Sequence, residues 1–159
     1  MRQAEILKKL KALKVDFDVV SHPPLFHEGD ADKYGIQLNC TATKCLLLSN
    51  KDKSHYYLVI LPLSDRVDIK TLQTVTNEKK LSFADAETVT RILHVTTGSV
   101  SLLSLFFADK TKLSVFVART LLSVGKVGFH PNDNTATVIF DASKIKTVLN
   151  AIQVNWQEI

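Results

Sequence analysis

The chain has 159 residues, 45% of them hydrophobic and 23% charged, which fits one globular domain of the usual ~100–200 residues with a core of its own. Its longest apolar run, residues 56–63, falls far short of the ~18 residues of a membrane span, no apolar leader opens the sequence, and Cys40 and Cys45 form neither a C-x-x-C pair nor a larger set. These features exclude a membrane protein, a disulfide frame and a zinc module and point to a cytoplasmic location, while the formal charge of +4 suits a polyanionic partner without requiring one.

Ile6, Leu7, Leu10 and Leu13 recur at helical spacing and predict an amphipathic helix over residues 3–14 with its lysines outward. Residues 17–20 alternate weakly as a strand. Residues 43–48 and 55–61 are nearly continuous apolar runs separated by the polar stretch 50–54, which predicts a hairpin. Asp68 can cap a helix carrying Ile69, Leu72 and Val75, and Asp85 another carrying Val89, Ile92 and Leu93. Strands follow at 113–117 and 136–140, and an amphipathic helix at 142–152 groups Ile145, Val148, Leu149 and Ile152. With no repeat, linker or low-complexity tract, the order predicts a single α+β domain over residues 1–159, a mixed β-sheet or barrel surrounded by helices. Lys8, Lys9, Lys11 and Lys14 on the first helix and Lys144 and Lys146 on the last read as solvated faces, with a nucleic-acid backbone as the alternative.

Three places carry more chemistry than folding requires. Lys44 lies in the first hairpin strand on one face with Ala42, Leu46 and Leu48, while Thr43, Cys45 and Leu47 share the other, so both faces are largely apolar. Its ammonium must snorkel to water, find an anionic partner or bind an anionic ligand, because burying it unpaired is very costly. Gly98 is followed by Ser99, Val100 and Ser101, a sequence that suits close backbone approach to a ligand and equally an ordinary loop. In VGFHPNDNTATVIF, residues 127–140, strand-like ends enclose His130, Pro131, Asn132, Asp133 and Asn134. That segment is either a Pro-containing turn whose amides bond their own backbone or a wall of a polar site. His22, His27 and Glu28 match no strong metal-ligand spacing, so no metal and no other cofactor is expected.

The segments HPPLF (22–26), TATKCLLL (41–48), YYLVILPLSDRVDIKTL (56–72), KKLSFADAETV (79–89), VTTGSV (95–100) and VGFHPNDNTAT (127–137), in this order, resemble the YbaK and prolyl-tRNA editing-domain superfamily over nearly the whole chain. The likeness is closest to the freestanding ProXp-ala or PrdX type. FHPNDNTAT is the most specific piece. The resemblance implies a trans-editing deacylase that removes alanine wrongly attached to proline tRNA, with the acceptor end of that tRNA as partner and prolyl-tRNA synthetase as a second. It places Lys44 beside the terminal nucleotide, makes Gly98 the start of a loop whose backbone holds the aminoacyl end, and sets His130 near the aminoacyl group. Phe26, Ser99, Val100, Asn132 and Asn134 are the expected substrate contacts.

The chain departs from that pattern at Leu102, where the family's loop has proline, at Thr97, where many relatives have another, and at His94, a place often held by a helix-ending glycine. Fewer prolines leave a looser loop, and a leucine at 102 is expected to add bulk near the pocket. Hydrolysis of an activated ester can rest on fixed backbone N–H donors, each worth about 3–4 kcal/mol, plus a positioned water. Lys44 then suits an anchor for phosphate or developing charge, and His130 orients the water or the substrate amine. The alternatives are a deacylase for serine, cysteine or 2-aminobutyrate, and a non-catalytic tRNA- or synthetase-binding module of the same fold.

Overall fold

The computed structural model describes residues 2–25 and 29–159. The first helix, α1 (Arg2–Ala12), buries Ile6 and Leu10 completely and leaves Lys8, Lys9 and Lys11 exposed, as the spacing of its apolar residues requires. It ends two residues earlier than predicted because Lys14 takes a left-handed φ of 59° and the Val15 N–H reaches back to the Leu10 carbonyl at 3.1 Å, which closes the helix.

Eight strands follow: β1 (Phe17–Ser21), β2 (Thr41–Asn50), β3 (Tyr56–Pro62), β4 (Leu81–Phe83), β5 (Leu113–Val117), β6 (Lys126–Phe129), β7 (Ala136–Asp141) and β8 (Asn155–Glu158). They form one mixed sheet in the order β1-β7-β6-β2-β3-β5-β8, with β4 on β2. Among the described residues the sheet does not close into a barrel, since β1 pairs only with β7 and β8 only with β5. The predicted hairpin is the antiparallel pair β2 and β3, in register from Thr43 opposite Pro62 to Ser49 opposite Tyr56. Its turn is held by the Asn50 side-chain oxygen, which accepts from the N–H groups of Ser54 at 2.9 Å and His55 at 3.1 Å.

Alternation along this hairpin divides the interior in two. Cys45, Leu47, Leu58 and Ile60 enter the main core, which also receives Ile6 and Leu10 of α1, whereas Leu46, Leu48, Tyr57, Val59 and Leu61 face a second cluster closed by Leu72. The helices α2 (Asp30–Lys33), α3 (Ile69–Thr76), α4 (Ala86–Leu93) and α5 (Ile145–Ile152) surround the sheet. Asp68 and Asp85 cap α3 and α4 as predicted, accepting from the N–H groups of Thr71 and Thr88. His94 stands in the left-handed position that ends α4, with φ 56°. Residues 142–144, predicted as the start of the last helix, form a 3-10 turn capped by Asp141. No helix among the described residues is long and apolar enough to cross a membrane.

Candidate active site

One edge of β2 has two different neighbours. Its first residues pair in parallel with β6, Thr41 opposite Val127 and Ala42 opposite Gly128, and its last three pair antiparallel with β4. Between these stretches, at residues 43–46, that edge has no strand partner among the described residues. A cavity of about 320 Å³ opens there, bounded by β2, by Gly128, His130 and Thr137, and by the segment from Thr97 to Ser101. The sheet itself makes the slot, because two strands that pair at one end part at the other.

Lys44, Gly98, Val100 and His130 line this cavity. Lys44 is half-buried and makes no hydrogen bond or ion pair to a described residue, so its ammonium is available to a ligand. The remaining expected contacts are placed differently. Ser99 is buried at 6% exposure and does not line the cavity. Asn132 turns inward, its side-chain oxygen accepting from the Ser104 hydroxyl at 2.8 Å, and Asn134 uses its carbonyl to accept from the Leu25 N–H at 3.3 Å, so neither lines the cavity. The physical reason is the turn itself: Asn132 adopts a left-handed φ of 59°, which carries its amide away from the strand face that His130 continues. Phe26, His27 and Glu28 lie outside the described residues. Leu102, expected to crowd the pocket, is fully buried in the main core and does not line the cavity.

His130 is oriented by a bond that also fixes its protons. Its Nδ1 lies 3.0 Å from the Ala136 carbonyl, which can only accept, so Nδ1 carries the hydrogen and Nε2 of the neutral ring keeps a free lone pair. Burial lowers the pKa of the ring below the ordinary histidine value, the Ala136 carbonyl opposes this, neighbouring His22 lowers it further and Asp133 raises it. At neutral pH the ring is therefore held in its uncharged form, with Nε2 as its unprotonated nitrogen. His22 is held on both nitrogens, donating from Nδ1 to the Pro23 carbonyl and accepting at Nε2 from the Thr137 hydroxyl, each at 2.8 Å. Cys40 and Cys45 also line the cavity, but burial raises both thiols, Cys45 to about 12, so neither is a thiolate at neutral pH.

The family profile of the aminoacyl-tRNA editing domain matches residues 30–147, well over half of the chain and nearly all of the cavity lining. The chain belongs to the aminoacyl-tRNA editing domain family. Among relatives of this editing domain, Prolyl-tRNA editing protein ProX of Acetoanaerobium sticklandii is 28% identical over 146 residues, 92% of this chain and 89% of its own. Prolyl-tRNA synthetase associated domain-containing protein 1 of Mus musculus is 31% identical over 140 residues, 86% of this chain and 82% of its own. Two crystal structures share the fold at low identity. A hypothetical protein, APE2540, superposes with a TM-score of 0.73 at 18% identity, covering 98% of this chain and 97% of that one. A candidate trans-editing enzyme for prolyl tRNA synthetase superposes with a TM-score of 0.70 at 17% identity, covering 98% and 95%.

Of the residues that shape the editing domain's cavity, Thr43, Gly128 and Ser104 had no role legible in the sequence, and Ser101 stood out there only as part of the Gly98 stretch. The Thr43 hydroxyl donates to the Gly128 carbonyl at 2.6 Å and ties β2 to β6 where they part. Gly128 has no room for a side chain: a Cβ there would lie 2.8 Å from both Cys40 Sγ and Thr137 Cγ2. A glycine inside a strand pattern was the available signal for that close approach. Ser101 and Ser104 fasten the Gly98 segment to the His130 turn, and their S-x-x-S spacing before an apolar run was the available signal for the cap they form.

Proposed function

We propose that the chain is a trans-acting aminoacyl-tRNA deacylase, with residues 1–159 working as one editing unit, and that its substrate is proline tRNA mischarged with alanine. The observation that carries this reading is the cavity that Lys44, the Gly98 segment and His130, whose Nδ1 is held by the Ala136 carbonyl, line together. The names of the relatives, which concern prolyl-tRNA editing, support the same choice of tRNA.

The reaction asked of such a site is attack of water on an ester. Nε2 of His130 can accept a hydrogen bond from that water or from the substrate amine, which its tautomer permits. The Lys44 ammonium can meet the phosphate of the terminal nucleotide or the charge that develops on the carbonyl oxygen. Backbone N–H groups near Gly98, where the lack of a side chain permits close approach, are the natural oxyanion donors. A second, editing site is needed because a synthetase built for proline discriminates a missing methylene by only ~1–3 kcal/mol and lets the smaller product through. Leu102 is buried in the core and does not line the cavity, so it gives no support to a pocket shifted toward another amino acid, whereas Thr97, another departure, does line it.

The test is incubation of the purified protein with proline tRNA carrying alanine, serine, cysteine or 2-aminobutyrate. Release of alanine ahead of the others is expected. Release of another residue but not alanine would move the substrate assignment, and binding of the tRNA with no release from any of the four would make the chain a non-catalytic module.

A further inference from the structure

The segment after Gly98 contains two hydroxyl side chains where a core would be expected. Ser101 is 2% exposed and Ser104 fully buried, among Leu102, Leu103 and Leu105, which are fully buried too. Capping explains half of what they do. The Ser101 hydroxyl oxygen accepts from the Leu103 N–H at 2.9 Å and the Ser104 oxygen accepts from the Ser101 N–H at 3.0 Å, which closes the first turn of the 3-10 helix Leu102–Phe106. Those bonds use only the oxygens. The two hydroxyl protons leave the segment altogether: Ser101 donates to the His130 carbonyl at 2.5 Å, and Ser104 donates to the side-chain oxygen of Asn132 at 2.8 Å.

We propose that Ser101 and Ser104 are positioning residues, a double clamp that holds the His130 turn in register with the Gly98 segment across the cavity. A cap alone would be served equally by aspartate, which accepts but cannot donate; only a small side chain that does both closes the turn and crosses to the opposite wall. The clamp grips on either side of Pro131, at the carbonyl of His130 and the side chain of Asn132. With the Nδ1 bond to Ala136 as a third point, the direction of the ring of His130, a residue that lines the cavity, is fixed. Asn132 bears the cost of this arrangement, being held at a left-handed φ with its amide nitrogen buried and without a partner among the described residues. Grip on Ser104 is what the residue gains in return.

Only the kinetic arm of the test rests on the deacylase reading. The variants are Ser101→Ala, Ser104→Ala and Asn132→Gly, the last keeping the positive φ without strain and removing the unpartnered amide. The first readout is the titration of the His130 imidazole, followed by NMR in each variant. Loosening the turn admits water to the ring, and its midpoint is expected to rise toward the ordinary histidine value. His22 and Asp133 beside the ring, and Lys44 on the same cavity, are untouched by these changes, so the shift reports solvation and orientation. The second readout is deacylation of alanyl-tRNA(Pro), expected to fall about 10- to 100-fold in kcat with KM held, as for a displaced catalytic group. Ser104→Ala and Asn132→Gly act on one bond, so the double variant should lose no more than the worse single one. Leu105→Val, a change in the same buried segment that touches neither bond, is the control and should leave the titration unmoved. Folded variants with a wild-type His130 titration, or an equal shift in Leu105→Val, would overturn the clamp. If Ser101→Ala does not fold, Asn132→Gly carries the same titration test. Wild-type protein with no deacylase activity would refute the proposed function, and the titration alone would then decide the clamp.

Discussion

Gly128→Ala is the substitution whose effect the structure defines most closely. The added methyl would lie 2.8 Å from Cys40 Sγ and from Thr137 Cγ2, against about 3.5–4.0 Å for ordinary carbon contacts, so each side must yield by roughly 1 Å. Thr137 does not yield easily. Thr137 sits in β7, its hydroxyl bonded to His22 at 2.8 Å, and Gly128 is itself bonded through its carbonyl to Thr43 at 2.6 Å. Overpacking of this kind costs about 1–3 kcal/mol, and at about 2–4 °C per kcal/mol for a chain of this size the thermal midpoint should fall by about 2–12 °C. Any outward shift of β6 is passed along the strand to His130 two residues on, where a displacement of about 1 Å can cost about a hundredfold in rate. Calorimetry and single-turnover deacylation of alanyl-tRNA(Pro) measure the two effects. Adding Cys40→Ala relieves one of the two contacts and should restore part of both. A variant with wild-type midpoint and rate would show that Cys40 and Thr137 have room to move, and that the cavity floor is not close-packed.

Lys44→Ala should lower deacylation by about a hundredfold or more, as loss of one charge-stabilising group does, with little change in the thermal midpoint because the ammonium has no partner among the described residues to lose; wild-type turnover would reduce Lys44 to a snorkelling side chain. His130 has a folded-state pKa below its unfolded value, so it lowers stability as pH falls through ~6.5, where the unfolded chain takes up a proton that the folded chain refuses, and the loss levels off once the folded ring protonates. His130→Gln should flatten the stability profile over that window, and denaturant titrations with an unchanged slope there would count against a buried neutral ring. Leu102→Pro should fold, since Ser101 before it is extended and position 102 opens a 3-10 helix, but it trims a fully buried leucine, removes the backbone N–H that meets the Cys45 sulfur and should cost about 1–3 kcal/mol; a midpoint held or raised would mean that backbone stiffening outweighs the lost contacts.

The elements that sequence periodicity located were those whose own residues decide them. α1 and α5 carry complete apolar stripes, Asp68 and Asp85 bond their own helices, and the β2–β3 hairpin alternates between two apolar clusters. β4, with three residues, is too short for any period to register, and β8 reads NWQE, a polar string that becomes a strand because the outer edge of β5 accepts it in parallel. The same division holds at the site. Lys44 and His130 stood out as polar groups in apolar surroundings, whereas Asn132 and Asn134 looked alike in sequence and only the left-handed turn at Asn132 decides that its amide meets Ser104. Leu102 was legible as a departure from a pattern but not as a core residue, because its burial depends on the 3-10 turn that Ser101 and Ser104 close.

The parting of β2 from β6 has a consequence for how such a protein can change over generations. A hollow carved by side chains disappears when those side chains are replaced, but one left by diverging strands is inherited with the backbone and survives exchange of the lining residues that do not themselves tie the strands. Val100 and Ala42 can drift toward larger or more polar residues, each retuning what the slot admits, while the backbone pairing at Thr41 and Ala42 and the bond from Thr43 to Gly128 keep it open. A chain of this fold thus has a way to trade one ligand for another by single substitutions, without passing through a form that has no pocket at all.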